Sequence, residues 1–182
     1  SKRAVEYAEK YNEGIYTAIA LHPFHIIEQE IEATDWELSE TELTRETRFP
    51  KFKTRPEKFD AKKYAELAKS QKVVAIGECG LDYYHIPLLH PIKKQDSEGQ
   101  AENFNISEVK NLQIETFEQQ IELALKLNLP IMIHCREAHD EVIKILKKYK
   151  SQTGDKLRGD IHFFTGDYSQ AKQYFDLDFS IS

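Results

Sequence analysis

The chain has 182 residues, of which 40% are hydrophobic and 11% aromatic, which is enough for one domain with a sizeable core. Its net charge of −6 means that no overall electrostatic field attracts nucleic acid or an anionic membrane. A nucleic-acid substrate is not excluded, because bound metal ions can bring phosphate groups to an acidic protein.

The sequence contains no membrane or secretion pattern. No apolar stretch approaches the ~18 residues of a membrane span, and no signal-peptide pattern opens the chain. The only two cysteines, Cys79 and Cys135, are expected to be free thiols of a reducing compartment rather than a disulfide scaffold. We therefore expect a soluble, cytoplasmic protein without a membrane partner.

The first third of the chain predicts a helix, a strand and a polar excursion. Apolar residues at helical spacing predict a helix over residues 1–12, and residues 15–21 (IYTAIAL) predict a buried strand. Residues 28–58 are polar and highly charged and are predicted to be an insertion outside the core.

The middle of the chain repeats this pattern. Asp60 is predicted to cap a short helix, and the apolar run at residues 73–77 (VVAIG) predicts the next strand. Residues 86–106 form a second polar insertion without usable periodicity, and a long amphipathic helix is predicted after Ser107.

Three further strands follow in the last third, with helices between them. The strands are predicted at residues 131–135 (IMIHC), 160–164 (DIHFF) and 179–182 (FSIS). The alternation of helices and strands predicts βαβ units and a parallel sheet. Both a doubly wound sheet and an eight-stranded barrel fit this order, although five strands are too few for a closed barrel.

Metal-capable residues stand where the strands are predicted to end. The predicted strands VVAIGE, IMIH and DIH end in Glu78, His134 and His162, and a fourth strand continues directly into His22. The carboxyl ends of parallel strands gather at one face, so these side chains are expected to converge there. Imidazoles with a carboxylate suit zinc, manganese or iron, which predicts a metal site.

The polar and aromatic residues next to these metal-capable positions each allow a functional and a purely structural interpretation. Arg136 could neutralise an anionic substrate oxygen or form a surface ion pair with Glu137 or Asp140. Asp82 could support a ligand by a hydrogen bond or cap its loop. Tyr84 and the residues beside it could line the mouth of a site or simply pack in a loop.

Four blocks of the sequence together resemble the TatD family of metal-dependent DNases. The blocks are GIYTAIALHPFH, VVAIGECGLDYYH, FEQQIELALKLNLPIMIHCREAHDE and GDIHFFTG, in this order. The resemblance implies a TIM-like (β/α)8 barrel of the metal-dependent hydrolase type, with metal ions at the carboxyl ends of the strands. Residues 1–182 would then form a single domain, the central portion of such a barrel, with polar insertions near 28–58 and 86–106.

The resemblance also implies roles for individual residues. Glu78 would be the catalytic carboxylate shared between two divalent ions (Mg, Mn or Zn), with His134 and His162 as ligands of the second ion. His22 matches the histidine of the family's HP loop near the substrate, and Arg136 is a candidate for phosphate contact. The implied activity is that of a deoxyribonuclease, a 3′–5′ exonuclease acting on single-stranded DNA ends.

The sequence departs from the family pattern at both ends. The H-x-H pair expected for the first ion and a late aspartate are not found within residues 1–182, so the barrel is expected to be incomplete at both ends. Two alternatives stay open at this point. One is a metal-dependent aminoacyl-tRNA deacylase on the same scaffold, and the other is a non-catalytic barrel remnant that binds partners.

Overall fold

A computed structural model describes residues 1–28, 30–31, 52–86, 93–95, 101–103 and 105–182. The helices are α1 (Lys2–Ala8), α2 (Ala61–Leu67), α3 (Ile106–Leu127), α4 (His139–Thr153) and α5 (Tyr168–Phe175). The strands are β1 (Thr17–Ile19), β2 (Glu30–Ile31), β3 (Phe52–Lys53), β4 (Val73–Asp82), β5 (Lys93–Gln95), β6 (Ala101–Asn103), β7 (Ile131–Arg136), β8 (Gly159–His162) and β9 (Phe179–Ile181).

Five strands form one parallel sheet in the order β1-β4-β7-β8-β9. This order is also the order of the strands along the chain, so each new strand joins the same edge of the sheet. A doubly wound sheet reverses direction at a switch point, whereas a barrel keeps adding strands on one side. The predicted parallel sheet is confirmed, and its order is that of a barrel.

Much of the two predicted insertions lies outside the described residues. Residues 29, 32–51, 87–92, 96–100 and 104 are not described. The described remainder includes two antiparallel ladders, β2 with β3 and β5 with β6, which are separate from the five-stranded sheet. That residues 28–58 and 86–106 are insertions in a single domain stays a prediction.

Strand β4 is longer than the sequence predicts. Its expected end at Gly77 is wrong, because the strand continues to Asp82 and contains Glu78. Gly77, which looks like the end of the strand in the sequence, and Gly80 both lie where β4 closely approaches β7. A Cβ atom on Gly77 would lie 2.5 Å from the Met132 Cβ, and one on Gly80 would fall on the carbonyl oxygen of His134.

Alternation along β7 separates the core from the functional face. Ile131, Ile133 and Cys135 are buried, whereas the residues between them are only partly buried. Successive side chains of a strand point to opposite faces, so His134 and Arg136 share the face turned away from these core residues. Both cysteines are buried free thiols, as expected.

Two helices begin close to their predicted positions, whereas α1 ends at Ala8, before the predicted end at residue 12. Asp60 caps α2 by accepting hydrogen bonds from the backbone N–H groups of Lys62 and Lys63, as predicted. Helix α3 begins at Ile106, slightly earlier than predicted, because Asn105 and Glu108 form a reciprocal capping box. Within the described ranges, no helix combines the length and apolar character needed to cross a membrane.

Gly159→Ala should destabilise the protein, because β8 passes too close to β7 for a methyl group. The added Cβ would fall on the carbonyl oxygen of Ile131, which is backbone and cannot swing aside. We expect the free energy of unfolding to fall by at least about 2 kcal/mol in a urea titration. Gly14→Ala is the control, since no atom lies within 4 Å there and its positive φ of 80° adds a cost of about 1 kcal/mol. Equal losses in the two variants would contradict the close spacing of the strands.

Candidate metal centre

Three side chains meet near the carboxyl ends of β1 and β7 and beside the second half of β4. His22, Glu78 and His134 each offer a nitrogen or oxygen atom, and these atoms all lie within 4.8 Å of one another. Among the residues that the structure describes, this is the one group of three or more such side chains close enough to share an ion. Two imidazoles and a carboxylate are a donor set that transition-metal ions accept.

His134 lies between two carboxylates. Its Nδ1 is 3.1 Å from Oε1 of Glu78, and its Nε2 is 3.0 Å from Oδ2 of Asp82. Burial disfavours the charged ring, but the hydrogen bonds to Asp82 and Glu78 outweigh burial and raise the pKa of His134 to about 9. In the metal-free protein at neutral pH, both ring nitrogens therefore carry protons.

The same contacts act on the Glu78 carboxylate. Burial alone would raise its pKa, but the hydrogen bond from His134 and the nearby imidazoles hold the pKa below its usual value. Glu78 is therefore ionised at neutral pH, with its side chain partly open to solvent. It offers a negative charge beside the proton on Nδ1 of His134.

Asp82 supports this arrangement from a fully enclosed position. Its side chain is 1% exposed, yet the His85 ring and the His134 ring both lie within hydrogen-bond distance of its oxygens, at 2.9 and 3.0 Å. The backbone N–H of His85 also donates to Oδ1, at 3.0 Å. Burial raises the pKa of Asp82, but these hydrogen bonds more than compensate and hold it well below its usual range. Both interpretations that the sequence left open, a supporting hydrogen bond and a loop cap, apply to this residue.

His22 differs from His134 in its protonation state: the His22 ring is neutral at neutral pH, whereas the His134 ring is charged. Its Nδ1 accepts a hydrogen bond from the backbone N–H of Phe24, at 3.2 Å, and so caps the short 3-10 helix Pro23–His25. Burial, with a smaller effect of the His134 charge, lowers the pKa of His22 to about 3. The neutral ring therefore carries its proton on Nε2, which makes that nitrogen a donor rather than a lone-pair ligand.

His162 is beside this cluster but not within it. It pairs in register with His134 across β7 and β8, so the two side chains share one face of the sheet. Its Nδ1 lies 3.3 Å from Oγ of Ser182, and its ring is near enough to Glu78 to be one of the smaller causes of the lowered pKa of that carboxyl. The structure thus groups His22 with Glu78 and His134, while the role of His162 as a ligand stays a prediction.

Arg136 and Lys110 each lie over a tyrosine ring. The Arg136 guanidinium stacks over the Tyr84 ring at 4.0 Å from its centroid, and Tyr84 is 40% exposed. The Lys110 ammonium lies over the neighbouring Tyr83 ring at 4.2 Å. Each pair combines aromatic surface with positive charge.

The fold and the cluster define a class, that of TIM-type barrels with a metal-capable site at the carboxyl ends of the strands. The family model for TatD related DNase matches residues 1–182, that is, the whole chain. The chain is 32% identical to the uncharacterized metal-dependent hydrolase YabD of Bacillus subtilis strain 168, over 99% of this chain and 51% of that protein. It is 30% identical to the 3′-5′ ssDNA/RNA exonuclease TatD of Erwinia amylovora, over 91% of this chain and 45% of that protein. The chain belongs to the TatD related DNase family.

Solved structures agree on the fold. A TatD homolog from Escherichia coli K12, YJJV, superposes with a TM-score of 0.58 at 23% identity, over 98% of this chain and 50% of that one. A TatD family hydrolase from Entamoeba histolytica also superposes with a TM-score of 0.58. It is 21% identical to this chain, and the match covers 99% of this chain and 46% of that one. The five-stranded sheet is therefore part of a TIM-like barrel, and the chain spans about half the length of these relatives.

The protonation of the two histidines can be measured in the metal-free protein. The His134 ring should titrate near pH 9, above its ordinary 6.5, whereas His22 should stay neutral down to about pH 3. Because the folded pKa of His134 is raised, its ion pairs stabilise the fold fully below pH 6.5 and lose this effect as the pH rises through 9. Histidine side-chain NMR after removal of metals measures both values. A His134 pKa near 6.5 would contradict the paired carboxylates.

Proposed function

We propose that the protein to which this chain belongs hydrolyses phosphodiester bonds of DNA with the help of divalent metal ions. It removes nucleotides from the 3′ ends of single strands. The observation that carries the proposal is the pair of carboxylates, Glu78 and Asp82, on the two nitrogens of His134. The name of the Erwinia amylovora relative, a 3′-5′ ssDNA/RNA exonuclease, supports the choice of substrate.

The residues present fit a divalent ion. Glu78 offers an ionised oxygen beside Nδ1 of His134, and Asp82 faces Nε2 of the same ring. Such a carboxylate behind a ligating imidazole fixes the ring and raises its basicity. His162, next to His134 in register, completes the proposed ligand set. The bound ion, whether magnesium, manganese or zinc, would lower the pKa of a water molecule and offset negative charge on the phosphate.

Protonation of His134 couples to metal binding. The ring is charged at neutral pH in the metal-free state, so it must release a proton before Nδ1 can act as a ligand. Asp82 retains the proton on Nε2. The metal affinity of the protein should therefore rise with pH up to about 9.

Substrate contacts are assigned to hydrogen-bond donors that are not in the proposed ligand set of Glu78, His134 and His162. Nε2–H of His22 and the guanidinium of Arg136 donate to phosphate oxygens. The exposed Tyr84 ring, already stacked with Arg136, provides a surface for an unpaired base. The two free cysteines support action in a reducing compartment such as the cytoplasm.

Glu78→Gln should remove activity without unfolding the protein. The substitution keeps the shape but removes the negative charge that attracts cations, so turnover should fall by at least about 100-fold. The free energy of unfolding should change by no more than about 1 kcal/mol, because the pair with His134 is partly exposed. The assay is release of nucleotides from 3′-labelled single-stranded DNA with Mn²⁺.

A matched variant and a second substrate make this test specific. Glu115→Gln on α3 changes an exposed carboxylate in the same way and should retain full activity. An aminoacyl-tRNA assayed in parallel examines the alternative deacylase activity. Wild-type activity on the aminoacyl ester but not on DNA would replace the proposed reaction, and full DNase activity of Glu78→Gln would remove Glu78 from it.

His22→Asn should separate substrate binding from metal binding. An asparagine oxygen can still accept the Phe24 N–H and cap the 3-10 helix, but the Nε2–H donor is lost. We expect KM for DNA to rise about tenfold while the Mn²⁺ affinity stays within about twofold. In contrast, His134→Asn should weaken Mn²⁺ binding by at least about 100-fold. A loss of Mn²⁺ affinity in His22→Asn, measured by calorimetry, would instead make His22 a ligand.

A further inference from the structure

Helix α3 carries two glutamines on its buried face. Gln113 and Gln120 are 4% and 1% exposed, although the rest of this face is made of residues such as Phe117, Ile121 and Ala124. The two glutamines are seven positions apart, which is close to two helical turns and about 10 Å along the axis. They therefore point in the same direction, towards the sheet.

Each glutamine binds both backbone groups of a single residue. Oε1 of Gln113 accepts from the Asp82 N–H at 2.8 Å, and its Nε2 donates to the Asp82 carbonyl at 3.1 Å. Gln120 makes the same two bonds to Leu21, at 2.8 and 3.1 Å. A primary amide carries a donor and an acceptor in one plane, so it can pair with a backbone unit as a neighbouring strand would.

The two clamped residues stand at the metal centre. Asp82 is the last residue of β4, and its side chain holds Nε2 of His134. Leu21 directly precedes His22 and lies two residues beyond the end of β1. Buried backbone N–H and C=O groups that no neighbouring strand pairs with need other hydrogen-bond partners. The glutamine side chains of α3 are these partners for Asp82 and Leu21.

We propose that Gln113 and Gln120 are positioning residues of the metal centre, each responsible for a different part of it. Gln113 fixes the Asp82 backbone and thereby the carboxylate that orients His134. Gln120 fixes the Leu21 backbone and thereby the position of the His22 ring. The division into metal binding and substrate binding rests on the proposed function, whereas the clamping of the two backbone segments does not.

The test replaces each amide by a side chain of similar size without hydrogen bonds. Gln113→Met should weaken Mn²⁺ binding about tenfold, the range found for groups that orient metal ligands. Gln120→Met should leave the Mn²⁺ affinity within about twofold and raise KM for 3′-labelled single-stranded DNA about tenfold. Gln119→Met, an exposed position on the same helix, is the matched control and should change neither quantity.

Backbone hydrogen exchange provides a readout that needs neither metal nor substrate. The amide of Asp82 should lose at least about tenfold protection in Gln113→Met only, and that of Leu21 in Gln120→Met only. If a methionine variant does not fold, Gln113→Asn and Gln120→Asn replace it, because each keeps an uncharged amide but is one methylene shorter, which withdraws both the donor and the acceptor from the backbone.

The possible outcomes separate the two proposals. Equal effects of both variants on Mn²⁺ affinity and KM, or unchanged exchange at Asp82 and Leu21, would overturn the positioning roles. A wild-type protein that neither binds Mn²⁺ nor cleaves DNA would overturn the proposed function instead. In that case the exchange at the two amides still decides whether the glutamines hold these segments.

Discussion

The Asp82 carboxylate, which has almost no contact with water, is the group on which the arrangement of the site depends. An ion of this kind is costly to bury unless charged or polar partners surround it. The two His85 donors and the His134 ring supply that compensation. The need of Asp82 for hydrogen-bond donors therefore fixes Nε2 of His134, and with it the orientation of the ring. Nδ1, on the other side of the same ring, is thereby placed beside Glu78.

The close approach of β4 to β7 makes this compensation possible. Gly77 and Gly80 let the two backbones come together, with a shift of register between Ile76 and Cys79. A side chain at either glycine would collide with Met132 or with the His134 backbone. The short distances from His134 to residues of β4 are thus a consequence of backbone geometry, since both carboxylates belong to that strand.

The two histidines of the cluster are chemically different because their surroundings differ. His134 faces carboxylates on both sides and holds a positive charge, whereas His22 is buried, accepts from a backbone N–H and stays neutral. One ring is thereby suited to exchange a proton for a metal ion, and the other to donate a hydrogen bond to an anion. Helix α3 joins the two, because its glutamines bind the backbone next to each.

The sequence by itself determined the order of helices and strands, the parallel sheet, and the occurrence of Glu78, His134 and His22 at its carboxyl edge. These features follow from periodicity and from the position of polar residues beside apolar runs, which are local properties. It did not determine the length of β4, since glycines that allow close strand packing look the same as glycines that end a strand.

Only the tertiary structure decided which side chains meet. The ends of parallel strands lie along one edge of the sheet, but the distances between side chains along that edge depend on strand register and on loop direction. His22 therefore lies close to Glu78 and His134, whereas His162 lies outside this cluster, next to Ser182. The burial of Asp82 and the roles of Gln113 and Gln120 were equally beyond the sequence. A polar residue on an amphipathic helix reveals its partner only when the chain segments that need its hydrogen bonds, here at Leu21 and Asp82, have been brought beside it.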